Sequence, residues 1–262
     1  MDSINHKILR LNRNIRIISR IDVKNNYVIK GIQFEGLRKV GDPLEIAQKY
    51  YQQGIDEIIF MDAVASLYER NNLFEIINNA AKHVFTPITI GGGIRKLDDI
   101  EKALNSGADK IAINTQAVKK SSFINQASRI YGSQAIVGSI EAKKTGNTWE
   151  AYIDAGRERT GKNAIEWAKE LESEGAGELL VTSIDMDGTK NGFELELIHL
   201  ISNSVSIPVI SSGGAGNIED IISLCKNTDT SGVAIASIFH YEDYSINQVK
   251  KGMIKNKFEI RK

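Results

Sequence analysis

Two carboxylates, Asp22 and Glu141, stand at the ends of short apolar runs of the chain. Two carboxylates that face each other can divide the work of general acid and general base when their surroundings separate their pKa values. The alternative is that each is a solvated carboxylate beside a lysine, Lys24 or Lys143. We favour acid–base catalysis because both follow strand-like runs, and α/β enzymes place their chemistry at the carboxyl ends of parallel strands.

Two glycine-rich turns, residues 91–93 and 212–214, each follow an apolar run and precede a helical segment. Backbone N–H groups at such a turn, together with the helix dipole, can hold a phosphate. Either turn alone is equally well explained as a tight turn. Because each is paired with a small polar turn one strand later, we predict two phosphate sites and a substrate with a phosphate at each end. The predicted phosphate-binding residues are Gly92, Gly93, Asn114 and Thr115 in the first half and Gly213, Gly214, Ala236 and Ser237 in the second.

A further polar segment runs from Thr182 to Thr189 and contains Asp187 and Gly188. An Asp-Gly pair is common in plain turns. It can equally supply hydrogen-bond donors and a carboxylate to the second phosphate end. The residues alone leave both alternatives open.

Four charged residues stand at or just before the starts of apolar runs, so they are expected to meet at the end opposite the carboxylates. Two positive and two negative charges fit an ion-pair ring that closes this end. They also fit a gate, because charged side chains can separate where packed leucines would not. From the residues alone we favour the ring. The four are Arg16, Glu57, Lys110 and Glu178.

The elements that must position these residues are eight short runs rich in Ile and Val, which alternate with amphipathic helical segments. Nearly continuous apolar runs are typical of parallel strands that are buried on both faces. Eight such units favour one (β/α)₈ barrel, residues 16–262 after an extension of residues 1–15, over an open doubly wound sheet. The predicted strands are Arg16–Asp22, Glu57–Asp62, Pro87–Gly91, Lys110–Asn114, Ala135–Glu141, Glu178–Ser183, Pro208–Ser211 and Gly232–Ala236.

An internal repeat supports closure of the barrel. Residues 21–24 are echoed by residues 140–143, and residues 87–93 by residues 208–214, at an offset of about 120 residues. The chain therefore reads as two fused half-barrels of four strands each. In that arrangement Asp22 and Glu141 end the first and fifth strands, on opposite sides of one mouth.

Composition and motifs limit the classes of function. Lys plus Arg equals Asp plus Glu at 33 each, which speaks against nucleic acid as the main partner. The single cysteine, Cys225, is expected to be buried and structural. No apolar run resembles a signal peptide or a membrane span, so we expect a cytoplasmic protein. No residue spacing matches a metal site or a nucleotide-cofactor motif, so neither a metal nor a cofactor is expected.

Together these residues resemble the HisF family, the cyclase subunits of imidazole glycerol phosphate synthase, from about Arg16 to the C-terminus. The likeness is specific because many motifs match in order. The segments that carry it are residues 28–31, 41–43, 54–57, 91–94, 108–110, 113–115, 131–135, 175–178, 182–189, 212–216 and 238–240.

The resemblance implies a partner, a HisH-type glutaminase that docks on the face where the strands start. Ammonia released there passes a charged gate, formed by the four charges named above, and travels through the barrel. It then attacks a bis-phosphorylated ribulosyl-aminoimidazole carboxamide nucleotide, which yields imidazole glycerol phosphate and an aminoimidazole carboxamide ribotide. The resemblance puts Asp22 and Glu141 in the acid–base roles and Lys30 on a mobile first loop. It places Gly92, Asn114, Thr115, Asp187, Gly188, Gly214, Ala236 and Ser237 at the phosphate ends.

Two positions depart from the family pattern. Glu141 stands where the family has aspartate, and a shift on the order of 1 Å can cost about a hundredfold in rate. Arg20 stands where the family has cysteine, and a cation there would lower the basicity of Asp22. These departures resemble a HisF-like branch tied to surface-polysaccharide (O-antigen) genes. In that branch the HisF/HisH-type pair supplies ammonia to a separate sugar amidotransferase.

Three functions remain open on the sequence. The first is the cyclase of histidine biosynthesis. The second is an ammonia-supplying subunit for acetamidino-sugar formation, favoured by Arg20 and Glu141. The third is the related sugar-isomerase barrel of the same pathway, which needs no glutaminase and is disfavoured by the four charges at the strand starts.

Overall fold

The computed structural model describes residues 14–63 and 73–261. All eight predicted strands are present, and the first begins at Asn14, so most of the predicted N-terminal extension lies outside the described residues. The first and fifth strands run longer than predicted because they continue into hairpins. The barrel strands are Asn14–Lys24, Glu57–Asp62, Ile88–Gly91, Lys110–Ile113, Ile136–Thr145, Glu178–Ser183, Val209–Ser212 and Gly232–Ile235.

The eight strands close into a parallel barrel in chain order. The eighth strand pairs with the first, Ala234 opposite Ile18, and the fifth pairs with the sixth, Gly138 opposite Leu179. The predicted (β/α)₈ barrel is confirmed, and the open doubly wound alternative is wrong. Because the first and fifth strands are four places apart in either direction, their ends lie on opposite sides of the mouth.

Helices follow the strands and cover the outside of the barrel. The first shows why they form where they do: the Asp42 carboxylate accepts from the N–H groups of Leu44 and Glu45 at 2.8 and 3.0 Å, and Pro43 takes the first helical position. The described helices are Pro43–Gln52, Leu73–Ala80, Leu97–Asn105, Thr115–Lys119, Ser122–Tyr131, Ala164–Ser173, Leu195–Ser204, Ile218–Asn227, Ser237–His240 and Ile246–Lys255.

The apolar core has two parts because strand side chains alternate between the two faces of the sheet. The outward-facing residues pack against the helices, and Cys225 is fully buried among them, as expected. The inward-facing residues form a separate apolar layer across the barrel, which we call the lumen layer. It consists of Ile18, Ile59, Met61, Ala112, Val137, Leu180, Ile210 and Ala234.

Two antiparallel hairpins extend the barrel at the end where the strands finish, and the sequence patterns do not predict them. The first is Tyr27–Ile32 with Glu35–Gly41, which continues from the first barrel strand. The second is Thr148–Ile153 with Glu158–Asn163, which continues from the fifth. Lys30, expected on a loop, therefore lies within a strand of the first hairpin.

Candidate active site

Asp22 lies near the end of the first barrel strand and is held by two cations. Arg20 precedes it by two residues and so points to the same face, and its Nε donates to Asp22 Oδ1 at 2.9 Å. Lys30 Nζ lies 3.9 Å from Asp22 Oδ2. Burial raises the pKa of Asp22, but the charges of Arg20 and Lys30 outweigh burial and hold this pKa below its ordinary value. Asp22 is therefore ionised at neutral pH.

Glu141 faces the same mouth from the fifth strand, and its pKa is raised, whereas that of Asp22 is lowered. Burial raises the pKa of Glu141 to about 7, against the opposing effects of the Arg20 charge and of the Gly156 N–H, which donates to Glu141 Oε2 at 2.8 Å. The negative charge of Asp22 raises it further. One carboxylate is thus ionised while the other still carries a proton near neutral pH, which is the separation that an acid–base pair requires.

The first hairpin reaches across the mouth to the loop after the sixth strand. Lys30 Nζ donates to both carboxylate oxygens of Asp187, at 2.9 and 2.8 Å, and the Gln33 N–H donates to the Asp187 carbonyl at 2.8 Å. Gly188 lies so close beneath the hairpin that a Cβ there would be 2.3 Å from the Gly31 carbonyl oxygen. This side of the mouth is closed.

The other side of the mouth is an open pocket, whose volume together with the solvent at its opening is about 1120 Å³. It brings the two carboxylates together with the whole first-half phosphate set. The predicted site residues in its lining are Asp22, Lys30, Gly92, Gly93, Asn114, Thr115, Glu141 and Asp187.

The other predicted site residues do not line this pocket. Gly214 instead packs against the loop after the sixth strand, where its carbonyl accepts from the Gly192 N–H at 2.8 Å. Thr182 Oγ1 accepts from Arg20 at 2.8 Å. The sequence predicts two equivalent phosphate sites, whereas the lining of this pocket contains the first predicted set and none of Gly213, Gly214, Ala236 and Ser237. The predicted residues outside the pocket are Thr182, Gly188, Gly213, Gly214, Ala236 and Ser237.

Gly92→Ala is expected to lower both stability and affinity for the substrate. Gly92 has a φ of +90°, and a Cβ would lie 2.4 Å from the carbonyl oxygen of Asp62, which is backbone and cannot move away easily. Gly146 is a matched control, because its φ is +62° and nothing lies within 4 Å of the position that a Cβ would take there. We expect urea unfolding to show a loss of about 3 kcal/mol for Gly92→Ala and about 1 kcal/mol for Gly146→Ala. Equal losses of stability in the two variants, with an unchanged KM for Gly92→Ala, would show that a Cβ at position 92 is not crowded by the Asp62 carbonyl.

Several groups that contact the site residues do not lie at the ends of barrel strands, so no sequence pattern marks them. Phe34, on the first hairpin, lies with its ring centre 5.7 Å from the Arg20 guanidinium carbon. Tyr50 Oη and His240 Nδ1 are 2.7 Å apart, and burial lowers the pKa of His240 to about 4. His240 is therefore neutral at pH 7. No strand-end pattern in the sequence marks Phe34, Tyr50 or the N–H of Gly156, because they come from hairpins and a helix.

At the opposite end of the barrel, the four predicted charges form a closed ring of ion pairs. Arg16 contacts both carboxylates, Glu57 at 2.8 Å and Glu178, and Lys110 contacts the same two at 2.7 and 2.8 Å. The two carboxylates are buried, whereas the side chains of Arg16 and Lys110 are 24% and 21% exposed. The ring covers the lumen layer from below.

Lys110→Met is expected to lower the free energy of unfolding by about 3 kcal/mol, because it leaves two buried carboxylates to share one cation. Lys169→Met is a matched control, because Lys169 forms an exposed pair with Glu166. Such a pair contributes about 0.5 kcal/mol. Urea unfolding of both variants measures the difference, and a loss for Lys110→Met no larger than for the control would show that the ring is not an energetic unit.

Among the described residues, no group of three or more His, Cys, Asp or Glu side chains could hold a metal ion. Within that same part of the chain, no helix is long and apolar enough to cross a membrane.

Comparison with known proteins gives one consistent family. The profile of a family described as "Histidine biosynthesis protein" matches residues 16–245. Imidazole glycerol phosphate synthase subunit HisF of Lactococcus lactis subsp. cremoris (strain MG1363) is 45% identical over 248 residues, which cover 94% of this chain and 96% of that protein. The protein of the same name from Hydrogenobaculum sp. is 48% identical, covering 94% and 98%, and that from Legionella pneumophila is 55% identical, covering 79% and 98%. With a barrel, an opposed carboxylate pair and these relatives, the chain belongs to the HisF family, the cyclase subunits of imidazole glycerol phosphate synthase.

Proposed function

We propose that this chain forms imidazole glycerol phosphate and aminoimidazole carboxamide ribotide from ammonia and a bis-phosphorylated ribulosyl nucleotide. The observation that carries the proposal is the carboxylate pair. Asp22 and Glu141 face each other across one mouth, and their pKa values are shifted in opposite directions.

The pair can supply the proton transfers of the first step, the addition of ammonia to the carbonyl of the substrate. When ammonia adds to a carbonyl carbon, its nitrogen must lose protons and the carbonyl oxygen must gain them before it leaves as water. Ionised Asp22 is suited to accept protons from the nitrogen. Glu141, with a pKa of about 7, is suited to deliver a proton to the oxygen and to be recharged from solvent. No metal or cofactor is needed for these steps.

The pocket supports a particular placement of the substrate. One phosphate binds at the open turn formed by Gly92 and Gly93 and at the start of the helix that begins at Thr115. The second binds at Gly213, Gly214, Ala236 and Ser237, beside Asp187 and Gly188. Because the Lys30–Asp187 ion pair covers that side, the first hairpin must shift when the second phosphate binds.

The charged ring supports the proposal that a HisH-type glutaminase docks at the strand-start face. Ammonia released at that face meets the four-residue ring first and the lumen layer behind it. Ion pairs can separate and close again without disturbing the apolar packing. We therefore propose that Arg16, Glu57, Lys110 and Glu178 form the gate for ammonia.

An assay with ammonium salt in place of the partner tests the cyclase chemistry directly. The purified chain is mixed with the ribulosyl nucleotide and excess ammonium at about pH 8, where enough neutral ammonia is present, and loss of the nucleotide is followed by its absorbance. We expect turnover. Absence of turnover, with Glu141→Asp restoring it, would overturn the assignment.

One observation favours a second candidate, an ammonia-supplying subunit for a separate sugar amidotransferase. The Arg20 guanidinium donates a hydrogen bond to Asp22 Oδ1 and lowers the pKa of Asp22, which makes this carboxylate a weaker base. In that case the chain with its glutaminase would release ammonia from glutamine but leave the ribulosyl nucleotide unchanged.

A further inference from the structure

Arg20 lies inside the barrel, at the level where the lumen layer meets the pocket. Its Nη1 donates to Thr182 Oγ1 at 2.8 Å and lies 3.3 Å from Ser212 Oγ, while its Nε donates to Asp22. Thr182 and Ser212 belong to the sixth and seventh strands, so the guanidinium spans the barrel from the first strand to that side. The residue is 4% exposed.

Several contacts hold Arg20 in this position. Besides its hydrogen bonds, the charges of Asp22, Asp187 and Glu141 all favour its cationic form. Phe34 covers it from the first hairpin. Removing a buried, hydrogen-bonded cation from such partners is costly, so Arg20 does not swing aside readily.

The lumen layer beneath Arg20 is uneven. Towards the sixth and seventh strands it is made of Leu180 and Ile210, which are fully buried. On the opposite side it is made of Ala112 of the fourth strand and the flexible Met61 of the second. Met61 packs over Gly91 of the third strand, where a Cβ would lie 2.4 Å from the methionine sulfur. The layer is therefore thin at Ala112 and, on the eighth strand, equally thin at Ala234.

The pocket reaches only one of these two thin positions. Its lining includes Met61 and Ala112 of the lumen layer and Ser139 of the fifth strand, but none of Leu180, Ile210 and Ala234. The pocket thus reaches down to the lumen layer only on the Ala112 side, and Ser139 lies two residues before Glu141 on the same strand face.

We propose that Arg20 closes the sixth- and seventh-strand side of the lumen and so directs ammonia past Ala112 and Ser139, towards Glu141. Arg20 is in this sense a positioning residue, since it acts through the route that remains open. The inference rests on the proposed function, because it presumes that ammonia crosses the barrel. A guanidinium also repels ammonium ions, which favours passage of neutral ammonia along the apolar side.

Two matched alanines of the lumen layer test the route. Ala112→Val narrows the proposed route, and Ala234→Val adds the same two methyl groups on the eighth strand. Each variant is assayed in complex with the glutaminase, once with glutamine and once with saturating ammonium, which enters through the open pocket. We expect Ala112→Val to lower the ratio of glutamine-driven to ammonium-driven turnover by about tenfold, and Ala234→Val to change it by less than about twofold.

Adding Arg20→Ala tests the role of Arg20 itself. Removing the guanidinium opens the sixth- and seventh-strand side of the lumen. We therefore expect Arg20→Ala, added to Ala112→Val, to bring the ratio of glutamine-driven to ammonium-driven turnover most of the way back to that of the unmodified chain. The ratio cancels any effect on the chemistry at Asp22, because both ammonia sources use the same carboxylates. Failure to restore it would overturn the proposal, as would a larger effect of Ala234→Val than of Ala112→Val. If Arg20→Ala does not fold, the alanine pair alone decides. Loss of ammonium-driven turnover in the unmodified chain would instead overturn the proposed function.

Discussion

Asp22→Asn is expected to lower the ammonium-driven rate of imidazole glycerol phosphate formation by about a thousandfold, the usual magnitude for loss of a general base. The amide keeps the shape of the side chain but has almost no affinity for a proton. Asp22 is also the carboxylate that the charges of Arg20 and Lys30 keep ionised. The measurement is kcat/KM with the ribulosyl nucleotide at saturating ammonium.

Asp56→Asn is the matched control for this variant. Asp56 is also a buried carboxylate paired with a cation, but it lies at the other end of the barrel, where it accepts from the Ile17 N–H at 2.8 Å and pairs with Lys250. We expect Asp56→Asn to lower stability and to leave the rate of the folded protein within about threefold of the unmodified chain. Equal losses of rate in both variants would mean that Asp22 acts through folding rather than through proton transfer.

Glu141→Gln is expected to remove the proton donor and to change the pH profile. A general acid must be protonated, and burial raises the pKa of Glu141 to about 7. The value of kcat/KM should therefore fall as pH rises above about 7 in the unmodified chain. In Glu141→Gln it should be about a hundredfold lower at about pH 6.5 and should lack this limb. A limb that persists in the variant would assign the titration to another group.

Glu141→Gln should lower the rate but raise the free energy of unfolding at alkaline pH. Damage to the structure would lower both quantities. A carboxyl whose pKa rises from 4.5 to about 7 on folding is not destabilising when protonated and becomes destabilising as it ionises. The free energy of unfolding falls as pH rises from about 4.5 to about 7, and the total loss above this range is about 3 kcal/mol. Glu141→Gln should therefore gain stability over the unmodified chain as pH rises from about 5 to about 8.5. Urea unfolding at both pH values measures this, and Glu150→Gln serves as a control because Arg159 lowers the pKa of Glu150 instead.

The barrel strands were predictable because their cause is local. A strand buried on both faces must be apolar along its length, so Glu57–Asp62 and Glu178–Ser183 were recognised with their bounds unchanged. The two hairpins are not predicted, because their strands mix charged and apolar residues. The outer strand of each, Glu35–Gly41 and Glu158–Asn163, is also largely exposed and has no apolar run. The resemblance puts Lys30 on a loop, whereas it lies on a hairpin strand that crosses the mouth.

The positions of Asp22 and Glu141 at strand ends follow from the sequence alone. The apolar runs set the ends of the first and fifth strands, and the repeat of about 120 residues required those ends to face each other. Only the tertiary structure decided what each carboxylate can do. Arg20 takes its partners from Thr182 and Ser212, more than 160 positions away, and its charge acts on Asp22 at 2.9 Å. The energy of a charge depends on distance and burial, which are set by barrel closure and not by residue order. The opposite pKa shifts, on which the proposed division into base and acid rests, therefore follow only from the folded chain.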